Sequence, residues 1–316
     1  MPPPDRFRTS AWDTVGHSLD LLRLAPASVT ARYFIGTVPF ALAFLYFWTD
    51  MSRSAFAPAR CLPFSLVLAL LFLWMKYWQA SFTTGLRHHL LRRNEPHGSF
   101  HTRWRRLTNQ AILQPAGLLL IPLSLLVLMP FHLVYGFHQN TTALDDGTDS
   151  PLALARKAWR YARERTTHSL LIIWLIGPWL LALAIGLGFT SAGIAITMTP
   201  DIQDISGPFW LMLMLALLCI ATIPLCPVGC VVAGNIAFLL LGLPEILHRV
   251  LGIQSLFQTA GLAIVFNTTF PVTLMVLSAM VLDPVVKTAY LLRCFESESI
   301  ESGADLLADL QAEDTD

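Results

Sequence analysis

The residues that could do chemistry in this chain are its arginines, and the chemistry they suit is the binding of phosphate oxygens. Arg87, Arg92, Arg93, Arg103, Arg105 and Arg106 form one cluster, and Arg156, Lys157, Arg160, Arg163 and Arg165 form a second. A guanidinium presents a planar fork that matches phosphate oxygens bidentately, which an ammonium does not. Arg156, Arg160 and Arg163 recur at i, i+4 and i+7, so a helix would carry all three on one side. Near an anionic membrane surface each basic residue contributes on the order of 1 kcal/mol, screened by salt. Lipid-headgroup contacts are therefore expected at Arg156, Lys157, Arg160, Arg163, Arg103, Arg105 and Arg106. Basic loops that only set membrane topology have the same composition. The two readings part only in what the side chains touch.

Other chemistries find little support. His97 and His101 have the i, i+4 spacing that metal sites use, but Gly98 intervenes and no Cys or Asp joins them. They read as solvated loop histidines, like His88 and His89. Five cysteines make no disulfide framework, and Cys226 and Cys230 share a helical face without a nearby His or acid. No His-Glu-x-x-His, Gly-x-Ser-x-Gly or pair of membrane aspartates occurs. We expect no catalytic residue, no metal and no cofactor. Membrane lipids, anionic phospholipid among them, and other membrane proteins are the expected partners, and nucleic acid is not. The alternative is a transporter or channel subunit for a small or lipid-like substrate. It would use half-helices broken at Pro122 and Pro224, with His132, Asn235, Glu245 and Asn267 as the polar groups at membrane depth. Asn235 and Asn267 read more simply as interhelical hydrogen-bonding groups.

The elements that position the arginines are read from the apolar runs. The chain is 316 residues long, 54% apolar and only 13% charged, which points to a membrane protein rather than a soluble one. Between the two clusters, Ala111 to Phe137 carries no Asp, Glu, Lys or Arg but holds Pro115, Pro122 and Pro130. Both flanks are basic, and basic loops favour the cytoplasmic side. One straight crossing would strand one flank, so a re-entrant element is expected, breaking near Pro122. Irregular backbone at that depth must be covered by protein, so this element should be central and buried. The expected fold is an all-α polytopic transmembrane bundle of about six membrane elements with interfacial amphipathic helices.

Residues 1–32 form a cytoplasmic segment with an amphipathic helix over Ser10 to Leu24, its stripe being Trp12, Val15, Leu19 and Leu22. Residues 33–283 form the transmembrane domain. Its spans are Tyr33–Trp48, Cys61–Ala80, Ser169–Phe189, one or two within Pro208–Leu243, and Leu262–Leu282 ended by Asp283-Pro284. His248 and Arg249 fall in a short link, and Glu245 beside Pro244 at a helix end. Residues 284–316 form an acidic tail, in which every charge from Glu296 onward is negative. Ser150-Pro151 starts a helix, Ser as N-cap and Pro in the first turn. Its stripe is Leu152, Ala155, Trp159 and Ala162, with the three arginines along the border.

Three stretches together resemble a known group. They are the broken span ending in Phe137-His138-Gln139-Asn140, the run Ala155-Arg156-Lys157-Ala158-Trp159 after a short acidic turn, and Tyr290-Leu291-Leu292-Arg293-Cys294-Phe295-Glu296 leading to Ser302-Gly303-Ala304-Asp305-Leu306. The group comprises bacterial polytopic proteins related to the membrane domain of glycerophosphoryl diester phosphodiesterases and its stand-alone relatives. The resemblance covers roughly Thr108 to Leu310. It implies a multi-pass architecture in the cytoplasmic (inner) membrane. It implies no activity, because the phosphodiesterase chemistry of that group belongs to a separate barrel domain. The expected function is a non-enzymatic scaffold or lipid-handling component.

Overall fold

A computed structural model describes residues 10–91, 99–127, 131–164, 166–177, 227–252 and 269–303. All regular structure among these residues is α-helical: α1 (Ala11–Leu24), α2 (Ala27–Arg53), α3 (Ala57–Leu90), α4 (Phe100–Leu113), α5 (Pro115–Val127), α6 (Phe131–Leu144), α7 (Pro151–Glu164), α8 (Thr166–Ile176), α9 (Pro227–Leu251) and α10 (Thr269–Ser302). The all-α expectation holds. Among the described residues, four helices are long and apolar enough to cross a membrane: α2, α3, α9 and α10 as far as Ile300. This is a membrane protein. The chain divides into two compact units, residues 1–172 with 284–316, and residues 173–283.

In the first unit α2 and α3 form an antiparallel hairpin. Tyr33 meets Phe82, Phe40 meets Phe72 and Tyr46 meets Phe64, with ring centroids 5.6, 6.0 and 5.6 Å apart. Arg60 pairs with Asp50 at 3.4 Å across the turn. The helices cross at Gly36, where an added Cβ would lie 2.6 Å from Trp78 Cβ, so only glycine permits that approach. Pro39 lies inside α2 and cannot donate to the carbonyl four residues back, that of Ile35. The indole Nε1 of Trp74 donates to that carbonyl at 3.1 Å, supplying the bond the proline removed.

The stretch between the basic clusters does turn back on itself. Gln114 Nε2, at the start of α5, lies 3.1 Å from His138 O, 2.9 Å from Thr141 Oγ1 and 3.1 Å from Thr142 Oγ1 near the end of α6. A Cβ on Gly117 would lie 3.1 Å from the His138 ring. The two helices are therefore antiparallel, entering and leaving at one end. The break is not at Pro122, as expected, because α5 continues through that residue to Val127. Proline removes one backbone bond there, and Ser124 Oγ donates to the neighbouring carbonyl of Ile121 at 2.8 Å. Residues 128–130, which join α5 to α6 and include Pro130, lie outside the described residues.

Helix α6 is the hub of this unit. Every residue from His138 to Asp145 is buried. Around it Val29, Tyr33, Phe82, Leu86, Leu154, Ala158, Tyr161, Leu291 and Cys294 close an apolar core with Ala143 and Leu144. Each large side chain in such a core stabilises by about 1.5–3 kcal/mol. Helix α10 does not end at Asp283-Pro284 but runs through Pro284 to Ser302, with Thr288 Oγ1 donating to Pro284 O at 2.7 Å. Residues 284–302, expected in the acidic tail, include buried Val286, Ala289, Tyr290, Leu291 and Cys294. The apolar face they offer outweighs the negative charge that follows them.

Helix α1 is capped as its sequence specifies, Ser10 and Asp13 forming a reciprocal capping box. Its inward face is Ala11, Thr14, Val15 and Ser18, so of the expected stripe Val15 faces in while Trp12 and Leu19 stay exposed. Small side chains let α1 approach its neighbours closely, while Leu22 of the stripe, with Leu21, is half-buried against the core. In the second unit, α9 begins at Pro227 and continues through Pro244 to Leu251. Glu245 therefore does not mark a helix end, and His248 and Arg249 lie in the last turn rather than a link. Asn235 Nδ2 donates to Val231 O of its own helix at 2.7 Å, a local bond within α9. Asn267, most of Ser169–Phe189 and residues 208–226 lie outside the described residues.

Candidate functional site

The structure divides the basic residues into those used inside the protein and those turned outward. Glu298, near the end of α10, holds both Arg87 of α3 and Lys157 of α7, each at 2.5 Å. One residue from each basic cluster thus meets on a single carboxylate. Lys157 is an internal ion-pair partner, which corrects its assignment to lipid. Arg106 is also corrected: it is buried and donates to Asp146 O at 3.1 Å. Arg293, only 1% exposed, donates to Tyr161 O and Ser169 Oγ and sits 5.4 Å from the Tyr290 ring centroid. Tyr161 lies in the last turn of α7, where the negative end of the helix dipole offsets a buried cation.

Helix α7 begins at the expected cap, Ala153 N donating to Ser150 Oγ at 3.4 Å. Leu154, Ala158, Tyr161 and Ala162 face the core. Leu152, Arg156, Trp159, Arg160 and Arg163 are exposed, with Ala155 half-buried. The expected stripe of Leu152 and Trp159 therefore points away from the core, alongside the arginines rather than opposite them. Core packing selects the narrow face of Ala158 and Ala162, because close helix approach excludes an indole. Arg160 lies 3.9 Å from Glu164 and 5.1 Å from the Tyr161 ring centroid. Among the described residues no ion pair engages Arg156, Arg163 or Arg103. On α4, Arg103, Phe100 and Trp104 are exposed and Arg105 is half-buried; the two aromatic rings are stacked at 6.4 Å.

The acidic turn does not pair with the α7 arginines. Asp145, 2% exposed, accepts from Asn109 Nδ2 at 2.9 Å, from Gln110 Nε2 at 2.7 Å and from Gly147 N at 3.2 Å. Burial pushes its carboxyl up to about 6 against the downward pull of these donors and Arg106. Asp146 Oδ1 accepts from Thr148 N at 2.8 Å. Gly147 has φ of 81°, and a Cβ there would lie 2.5 Å from Thr102 O, so the turn and α4 meet with no space for a side chain.

Groups on α3, α7 and α10 make further hydrogen bonds with α6. Thr83 Oγ1 donates to Thr142 O at 2.9 Å, Asn140 Nδ2 to Ala158 O at 3.1 Å, Lys287 Nζ to Gln139 Oε1 at 3.1 Å, and Cys294 Sγ to Asn140 Oδ1 at 3.3 Å. The resemblance motifs Gln139-Asn140 and Arg293-Cys294 thus meet inside the fold. Composition and spacing did not single out Asn109, Gln110 or Glu298, and marked Asp145 only as part of an acidic turn that could pair with the α7 arginines. Adjacent amides on an otherwise basic helix were the available signal for the first two. Among the described residues no cluster of three or more His, Cys, Asp or Glu side chains could hold a metal ion. No protein-family model, curated protein or solved structure significantly matches this chain.

Proposed function

We propose that this chain is a non-enzymatic component of the bacterial cytoplasmic membrane, a scaffold or lipid-handling protein that holds anionic phospholipid headgroups against α7. The observation that carries the reading is the outward face of α7. Arg156, Arg160 and Arg163 alternate there with Leu152 and Trp159, while Arg87, Lys157, Arg106 and Arg293 are engaged internally. Cations beside an indole and a leucine suit the boundary between headgroups and acyl chains. Arginines serving topology alone would need no such apolar companions.

Three arginines at about 1 kcal/mol each give roughly 3 kcal/mol, a little over a hundredfold in local lipid preference. The contact of Arg160 with Glu164 lowers that ceiling. Replacing Arg156, Arg160 and Arg163 together with Gln should lower retention of anionic phospholipid by the purified protein, more at low salt than at high. Lipid released from wild type and triple variant is quantified by mass spectrometry. A correctly inserted variant that keeps its anionic lipid would end this reading.

A further inference from the structure

We infer that α4, α5 and α6 form a wedge that enters the hydrocarbon of one membrane leaflet, with the outer face of α5 against its acyl chains. Helix α5 has 13 residues, about 20 Å at 1.5 Å per residue, against a hydrocarbon core about 30 Å thick. It is too short to cross. It does not continue in the same direction either, because Gln114 at its start bonds the C-terminal turn of α6. One side of α5 is committed to protein, through Gly117 against His138 and the buried Ser124. The other presents Leu118, Leu119, Leu120 and Leu123, with Leu119 78% exposed.

The occupant of that face follows from the chain on either side. No Asp, Glu, Lys or Arg occurs from Ala111 to Phe137, so the exposed leucines of α5 have no charge beside them to hold that face in water. Gln114 alone separates α5 from α4, so the C-terminal end of α4 must lie where α5 begins. Exposed Phe100, Trp104 and Ile112 on α4, with Arg103 beside them, fit a helix in the headgroup layer. An element shorter than the hydrocarbon is accommodated when the bilayer thins around it. The wedge therefore predicts an asymmetric, locally thin membrane at α5. This inference rests on the membrane character of the chain and not on headgroup binding at α7.

The test is a depth profile. Nitroxide labels are placed on single cysteines introduced at Ala116, Leu119 and Leu123, all exposed, in the full chain reconstituted in bilayers. Cys294 is retained because it is buried, and the other native cysteines are replaced. Collision rates with oxygen and with a water-soluble nickel chelate give the depth of each label. The expected result is progressive deepening from Ala116 to Leu123, by up to about 10 Å at 1.5 Å per residue, with all three labels open to oxygen. Equal shallow depths would mean that α5 lies flat on the surface. Nickel access at all three would mean water on this face, and exclusion of both reagents would mean a protein cover. Any of these three results overturns the wedge. Loss of lipid selectivity at α7 leaves the depth profile unchanged, so the two readings fail separately.

Discussion

Replacing Asp145 with Asn should remove a pH dependence from the stability of the first unit without unfolding it. The carboxyl titrates at about 6 in the folded protein against an ordinary 3.8, with burial as the main cause. The folded state therefore holds the proton more tightly than the unfolded chain does. Stability from this group is fully present below pH 3.8 and is lost as pH rises through 6, by about 3 kcal/mol at 1.36 kcal/mol per pH unit. The introduced amide stays neutral and keeps an oxygen for Asn109 and Gly147. Its NH2 would meet Gln110, whose Oε1 has no hydrogen-bond partner among the described residues and can turn to accept. Thermal unfolding in detergent, followed from pH 4 to 8, should show wild type losing stability across pH 4 to 6. D145N should lose less over that window and be at least as stable at pH 7. Parallel pH profiles for the two proteins would refute the assignment.

Trp74→Phe should cost about 1–3 kcal/mol, because the Ile35 carbonyl loses its donor in an apolar setting. Pro39→Ala restores a backbone N–H to that carbonyl, so the phenylalanine substitution should become nearly neutral in that background. A double-mutant cycle of melting temperatures reads the coupling. Glu298→Gln should destabilise by roughly 1–3 kcal/mol, less than a fully buried pair, because Arg87 and Lys157 are 26% and 30% exposed and can recover water. Its measure is earlier melting with faster proteolysis of the α10 end. Gly147→Ala should cost more than Gly252→Ala. Both positions have positive φ and bear a left-handed cost of about 1–2 kcal/mol, but only the Cβ at 147 collides, with Thr102 O. Equal losses in calorimetry would disprove the close contact of α4 with the acidic turn.

Much of the architecture was legible in the chain because it depends on local quantities. Apolar runs of sufficient length marked the α2–α3 hairpin, and Ser10 and Ser150 marked two helix starts. The absence of charge between two basic clusters marked a returning element. Proline positions were less informative. Pro122 and Pro284 each remove one backbone bond, and whether a helix survives depends on what packs beside it, which spacing along the chain does not carry. The fate of the basic residues was the least legible. Arg156 and Lys157 are adjacent in sequence, yet one faces outward and the other meets Glu298, far away in the chain. A 100° step around a helix separates neighbours, and only the packing of α7 on α4 and α6, with its bonds to Glu298 and Arg293 of α10, fixes which direction is inward. The sequence by itself determined that two basic clusters would flank a charge-free stretch in a helical membrane protein. The tertiary structure alone decided which of them hold the fold together and which remain available to a partner, because that division is made by carboxylates and carbonyls from distant helices.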